Sequence, residues 1–297
     1  MTIVQRTMPE EVTAPAAVTK GPAGWQAPLT ETRHTRAPDG SEIAYAVTGS
    51  GPLTVMLIHG WGSTGAIWDG VVERLAAPGR RIVTVDYAGH GGSTHAAERT
   101  TIADYAGDVL AVADAIGART FVTIGHSMGG KCAMRLPLMA PGRVLAEVLI
   151  APTPPDRFDE SPEVIEKMGA LSGNVPGMLD IHFEGVTRKP PRAVSESWAA
   201  RAAAISSAVL KETLQILNWD DFGALMAGRK MPRPSLVIGG LGDAWYDQPF
   251  LEARLGPFLP GAIYRYLDTG HDLPIEDPDT LANLLDGYLS ALPETKE

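Results

Sequence analysis

Short apolar runs alternate with helical periods through the first half of the chain. Thr54–Ile58, Arg81–Val85 and Phe121–Ile124 are apolar and β-branched, too short for helices, and bounded by Gly or turn residues. Unbroken runs of this kind suit strands buried on both faces. Between them, Ala66–Leu75 and Ile102–Ile116 place apolar residues at helical spacing. Strand and helix therefore alternate in the order that builds a parallel sheet with covering helices. Ahead of these, from Thr32, Ser41–Val47 alternates polar and apolar residues behind the turn signal Pro38-Asp39-Gly40, which predicts an opening hairpin.

A fourth buried run, Val144–Ile150, ends at Ala151-Pro152, and from there to about Arg233 strand signals vanish while helical periods persist. Pro162–Leu171 and Glu196–Leu217 carry that period, separated by the Gly- and Pro-containing stretch Gly173–Pro191. Ser235–Ile238 and Ala262–Leu267 then read as the last two strands, with Pro278–Leu289 as a closing amphipathic helix. The expected fold class is α/β, with a mostly parallel central sheet flanked by helices. Its core is expected from residues 31–151 and 234–297, with a helical cap over 152–233 and a flexible leader over 1–30. The leader mixes Thr, Ala, Pro and Glu; its functional alternative is an arm that docks on a partner subunit through Trp25.

Composition narrows the class further. With 297 residues, 44% of them hydrophobic, one sizeable core is the default. A formal net charge of -10 repels phosphate backbones and anionic lipid, so neither nucleic acid nor a membrane surface is expected as a partner. The leader holds no continuous apolar stretch of signal-peptide or membrane-spanning kind. The single cysteine, Cys132, excludes an intramolecular disulfide and has no metal-ligand spacing around it, which points to a reducing cytoplasmic setting and a buried thiol. A homo-oligomer stays open.

The chemistry sits where the strand Phe121–Ile124 runs into Gly125-His126-Ser127-Met128-Gly129-Gly130, with a helix-compatible segment from Lys131 to Met139. Gly-x-Ser-x-Gly between a strand and a helix holds its serine exposed on a sharp turn, so Ser127 reads as a nucleophile. A serine hydroxyl needs a base oriented by a carboxylate, both downstream in chain order. His271, in Asp268-Thr269-Gly270-His271-Asp272 after the last strand, is the base expected among seven histidines. Asp243, after Ser235–Ile238 at the same sheet edge, is the favoured carboxylate, with Asp247 and Asp156 as rivals. Two backbone N–H donors should face the developing oxyanion, one from Met128 and one from Trp61 in His59-Gly60-Trp61-Gly62.

Together with Asp86-Tyr87-Ala88-Gly89-His90-Gly91-Gly92-Ser93, these motifs resemble the α/β-hydrolase superfamily over about Thr32 to Leu289. Within it the chain is similar to capped carboxylesterases, carbon–carbon bond hydrolases and cofactor-free haloperoxidase-type perhydrolases. That resemblance implies an α/β-hydrolase fold, a structural His90, and no metal or organic cofactor. Serine at position 127 argues against haloalkane dehalogenases and epoxide hydrolases, which carry aspartate there. The expected activity is hydrolysis of a carboxylic ester of a small, largely apolar substrate through an acyl-enzyme. Carbon–carbon cleavage, lactone opening and perhydrolysis use the same groups, and a small-molecule receptor of this fold is the reading from another class. The cap is expected to cover the site and shape a hydrophobic pocket; if it selects substrates, exchanging bulky residues such as Trp198 or Leu217 should alter chain-length preference, but periodicity does not tell which of them face the pocket. Pro137 should kink the helix after Ser127 or end it early, and Lys131 is expected in solvent.

Overall fold

The computed structural model describes residues 31–158, 160–229, 231 and 233–292; the leader expected over 1–30 lies outside the described residues. The first strand, β1 (Glu31–Arg36), turns back as antiparallel β2 (Glu42–Gly49), the hairpin that Pro38-Asp39-Gly40 signals. Asp39 fixes that turn by accepting the Ser41 N–H at 2.9 Å. Then follow β3 (Leu53–Ile58), a 3₁₀ turn at Gly65–Trp68, α1 (Asp69–Leu75), β4 (Arg80–Val85), α2 (Ile102–Ala115), β5 (Phe121–His126), α3 (Met128–Met139) and β6 (Val144–Ile150). Five helices come next: α4 (Pro162–Gly169), α5 (Val175–Gly185), α6 (Arg192–Ala203), α7 (Ser207–Trp219) and α8 (Gly223–Met226). The chain re-enters the sheet as β7 (Leu236–Gly240), and closes with α9 (Gln248–Leu255), β8 (Ile263–Leu267), α10 (Leu273–Glu276) and α11 (Pro278–Ser290).

All eight strands form one sheet in the order β1-β2-β4-β3-β5-β6-β7-β8. The two pairings that involve β2 are antiparallel and the rest are parallel. This is the expected mostly parallel α/β sheet. Alternate side chains of β3 serve opposite faces: Met56 and Ile58 pack with α2, α3 and α9, whereas Val55 and Leu57 pack with α1 and α11. Both faces are dry, which is why β3 reads as an unbroken apolar run. The helices between β6 and β7 hold a smaller core of their own, including Leu171, Met178, Ala199, Ala202 and Leu210.

Several expectations need correction. The stretch Gly173–Pro191 contains α5, started by the Asn174 side chain, which accepts the Gly177 N–H, and by Pro176 in its first turn. The helical period over Glu196–Leu217 is two helices, because Ser206 accepts the Val209 N–H and caps a fresh start. Helix α9 was not anticipated; Asp247 caps it, with Pro249 in its first turn. By contrast, helix α3 ends where the sequence placed its end, at Met139, two residues after Pro137.

Lys131 is the largest departure. It is fully buried, not solvated. Its three ammonium donors meet three carbonyls, of Asp220 at 2.6 Å, Leu217 at 2.9 Å and Asp156 at 3.3 Å. Two of these acceptors stand at the C-terminal end of α7, where the helix dipole favours a cation. Burial still pushes the ammonium down to about 8, against the pull of Asp220, Asp156 and Asp221. Lys131 thus ties α3, which begins beside Ser127, to the helices beyond β6. Among the described residues no helix is long and apolar enough to cross a membrane.

Candidate active site

Ser127 stands between β5 and α3 with φ +53° and ψ -118°, a left-handed backbone that a side chain rarely adopts and that costs about 1–3 kcal/mol. Surrounding hydrogen bonds hold it there. The Ser127 N–H donates to Ile150 O at 2.9 Å, and its carbonyl accepts from Gly130 at 2.9 Å and Thr153 at 3.1 Å. The turn is so tight that a Cβ on Gly129 would sit 2.3 Å from Ile58 O, so position 129 has room only for hydrogen.

The loop after β3 lies directly against the serine: a Cβ on Gly60 would be 2.9 Å from Ser127 Cβ. His59 shapes that loop. Its Nδ1–H donates to Gly60 O at 2.8 Å, and Nε2 accepts the Tyr87 N–H at 3.2 Å, which fixes the neutral tautomer. Burial supports the same form, pushing His59 down to about 4. The Trp61 indole donates to Leu210 O at 2.8 Å and anchors the loop to α7. Among the described residues, no hydrogen bond takes the backbone N–H of Trp61 or of Met128. Both therefore remain available as donors beside Ser127.

His271, 4% exposed, follows β8, and its Nδ1–H donates to Asp243 Oδ2 at 2.8 Å. The other oxygen, Asp243 Oδ1, accepts the N–H groups of Trp245 at 2.9 Å and Tyr246 at 3.0 Å. Burial works to raise the Asp243 carboxyl, but the His271 charge and hydrogen bond, with those two N–H groups, leave it below the usual carboxylate range. For His271 burial works downward, and Asp243, Asp272 and Glu276 outweigh it, so its imidazole is raised. The rival carboxylates are engaged elsewhere. Asp247 caps α9, and Asp156 pairs with Arg254 at 2.9 Å.

Ser127 and His271 open onto one cavity of about 570 Å³. Ser127 Oγ makes no hydrogen bond among the described residues, and Trp245 and Tyr246 pack edge-on against His271 with ring centroids 4.7 and 5.4 Å away. Helices beyond β6 supply much of the wall through Met168, Ile181, Trp198, Leu214 and Leu217. Periodicity left open which of these helices' residues face the pocket; Trp198 and Leu217 are among those that do. His90 lies apart, buried, with Nδ1 on Ala88 O at 3.0 Å. No group of three or more His, Cys, Asp or Glu side chains among the described residues could hold a metal ion.

Sequence reasoning missed a second histidine system. His126 Nε2–H donates to His271 O at 2.9 Å, and burial, then the neighbouring His271, pushes His126 down to about 4. His182 on α5 donates from Nδ1 to Asp272 Oδ2 at 2.7 Å and meets Ser195 Oγ through Nε2 at 3.2 Å. Residue 272 lies 90 positions from residue 182, and residues 182 and 195 share no motif, so no local signal announces the group.

Residues 55–284 match the model of the alpha/beta hydrolase family. Among curated proteins, the chain is 32% identical to a pimeloyl-[acyl-carrier protein] methyl ester esterase of Xanthomonas campestris, across 83% of this chain and 98% of that one. It is 29% identical to the dihydrolipoyllysine-residue acetyltransferase component of the acetoin cleaving system of Cupriavidus necator, across 84% of this chain and 67% of that one. A non-heme haloperoxidase of Rhodococcus erythropolis is 38% identical, but across only 40% of this chain and 43% of its own length. The structure superposes on an esterase from Exiguobacterium antarcticum with a TM-score of 0.78 at 20% identity, covering 87% of this chain and 99% of that one. At that identity the likeness carries the fold.

Proposed function

The chain belongs to the alpha/beta hydrolase family, and from that premise we propose that it is a serine hydrolase cleaving a carboxylic ester of a small, largely apolar substrate. The observation that carries this reading is the Asp243–His271 hydrogen bond, 2.8 Å long, beside the cavity onto which Ser127 opens. With its Nδ1 proton committed to Asp243, the imidazole presents an Nε2 lone pair as the available base.

In the proposed reaction, Ser127 Oγ attacks the ester carbonyl as His271 Nε2 takes its proton. The N–H groups of Trp61 and Met128 hold the oxyanion. His271 then returns the proton to the departing alcohol, leaving an acyl group on Ser127. Water, deprotonated by the same imidazole, releases the acid and restores the serine. Asp243 stabilises the imidazolium in both halves.

The apolar and aromatic wall, with Trp61, Phe158, Trp198, Leu217 and Trp245, supports a largely apolar substrate, and the helices α4–α7 act as its cap. Relatives named as ester esterases support the ester. Ser127→Ala is expected to abolish turnover of p-nitrophenyl acetate while leaving the fold intact; wild-type rates in that variant would refute the proposal.

A further inference from the structure

Three consecutive residues around the proposed base are fastened to the end of α5. The His271 N–H donates to Gly185 O at 2.7 Å. Glu276 Oε2 accepts three N–H groups, from Gly270 at 2.8 Å and from Thr187 and Arg188 at 2.9 Å each. Its Oε1 accepts the Asp272 N–H at 3.0 Å. One carboxylate therefore grips the backbone on both sides of His271 and the first residues beyond α5. The Asp272 side chain completes the attachment through His182, which is fully enclosed, stacked on Trp198 with centroids 4.9 Å apart, and backed by Ser195. None of these contacts involves Asp243.

We propose that Glu276, Asp272 and His182 are positioning residues that mount the His271 loop on the C-terminal end of α5, making this part of the cap a fixed support for the base. The proposal rests on the reading of His271 as that base. A segment mounted in this way does not swing open to admit substrate without withdrawing the imidazole from Ser127, so entry must use another part of the cavity rim. The arrangement also explains two carboxylates beside His271, buried Asp272 and half-buried Glu276, beyond the one that orients it. Charge-assisted bonds from four backbone donors are stronger than neutral ones and tolerate little displacement. An amide at position 276 would turn an NH2 group toward some of those donors, and the grip would fail.

The groups facing His271 are Asp243 from the loop after β7, Asp272 and Glu276 from its own segment, and His126 from β5, with His182 acting through Asp272. The ion pair of Arg188 with Asp277 lies just outside. Removing the charge of Asp272 or Glu276 takes away support for the imidazolium, so His271 must lose its proton more readily.

The test uses Glu276→Gln, Asp272→Asn, His182→Gln and His271→Gln, each checked for its fold by circular dichroism, with p-nitrophenyl acetate as substrate. The first three should lower kcat at least tenfold with KM changed less than threefold, and the two carboxylate variants should move the acid limb of kcat/KM to lower pH. All three within twofold of wild-type kcat, or a loss confined to KM, would overturn the proposal. In the unaltered protein, hydrogen exchange should protect the amides of Thr187, Arg188, Gly270 and Asp272 equally. Faster, independent exchange at 187 and 188 would show that α5 opens as a lid and would also overturn it. If His271→Gln retains full turnover, the reading of the base fails; if it is inactive while the other three are active, only the mount fails.

Discussion

Replacing Asp243 by Asn changes one atom's chemistry and almost no volume, yet the surroundings dictate how the amide must sit. Oδ1 accepts two backbone N–H groups, from Trp245 and Tyr246, and Oδ2 faces His271 Nδ1. An amide nitrogen in the Oδ1 place would oppose both donors and forfeit two hydrogen bonds, each worth about 0.5–1.5 kcal/mol net. The amide oxygen therefore stays with the backbone and the NH2 group turns to the imidazole. Nδ1 must then accept, the ring proton moves to Nε2, and the proposed base has no lone pair to give. The expected loss in kcat is on the order of 10⁴-fold, as for a wrong-tautomer triad, equivalent to about 5 kcal/mol of transition-state stabilisation. Steady-state hydrolysis of p-nitrophenyl acetate measures it, and ¹⁵N shifts of the imidazole report the tautomer. A kcat within tenfold of wild type would refute the reasoning.

The other predictions concern pH and buried charge. Because His271 is raised above its ordinary 6.5, the acid limb of kcat/KM should have its midpoint above that value, and a midpoint below it would contradict the electrostatics. The same shift means that protonated His271 stabilises the fold below pH 6.5 and that this contribution is lost as pH rises through the folded value. Stability measured against His271→Gln should follow that course. Lys131 has the opposite sign: its folded value of about 8 lies below the ordinary 10.5, so the unfolded chain holds the proton between them and stability rises with pH. Relative to Lys131→Met, the wild-type chain should gain roughly 3 kcal/mol from pH 8 to 10.5 in urea unfolding, from the 2.5-unit difference; a pH-independent difference would refute it. Glu147→Ala leaves Arg229 buried without its carboxylate, which it now meets at 2.5 and 2.8 Å. That should cost about 3–5 kcal/mol in the same assay, and a loss under about 1 kcal/mol would show the pair to be dispensable.

The sheet was legible because its central strands are buried on both faces, so burial wrote itself into short apolar runs such as Val144–Ile150, interrupted there by Glu147 alone. Ser127, Asp243 and His271 were legible because each stands at the C-terminal edge of a strand, where a sharp turn demands glycine or a short loop. The region after β6 was read less well. Periodicity alone could not separate α6 from α7, since the Ser206 cap that divides them is a single polar residue inside an apolar rhythm. Lys131 illustrates a different limit. A lysine four residues past the nucleophile looks like a solvated helix residue until the fold brings the carbonyl end of α7 onto it. Likewise Glu276 and His182 acquire their meaning only from contacts across about ninety residues of chain, which no local pattern encodes.

The proposal that Ser127 is acylated during turnover is tested most directly by trapping the intermediate. Acid quenching of the protein during steady-state hydrolysis of p-nitrophenyl acetate, followed by intact-mass and peptide mass spectrometry, should show one acetyl group on the peptide carrying Ser127 and none on Ser127→Ala. Full turnover with no adduct, or with the acetyl group on another residue, would contradict the account.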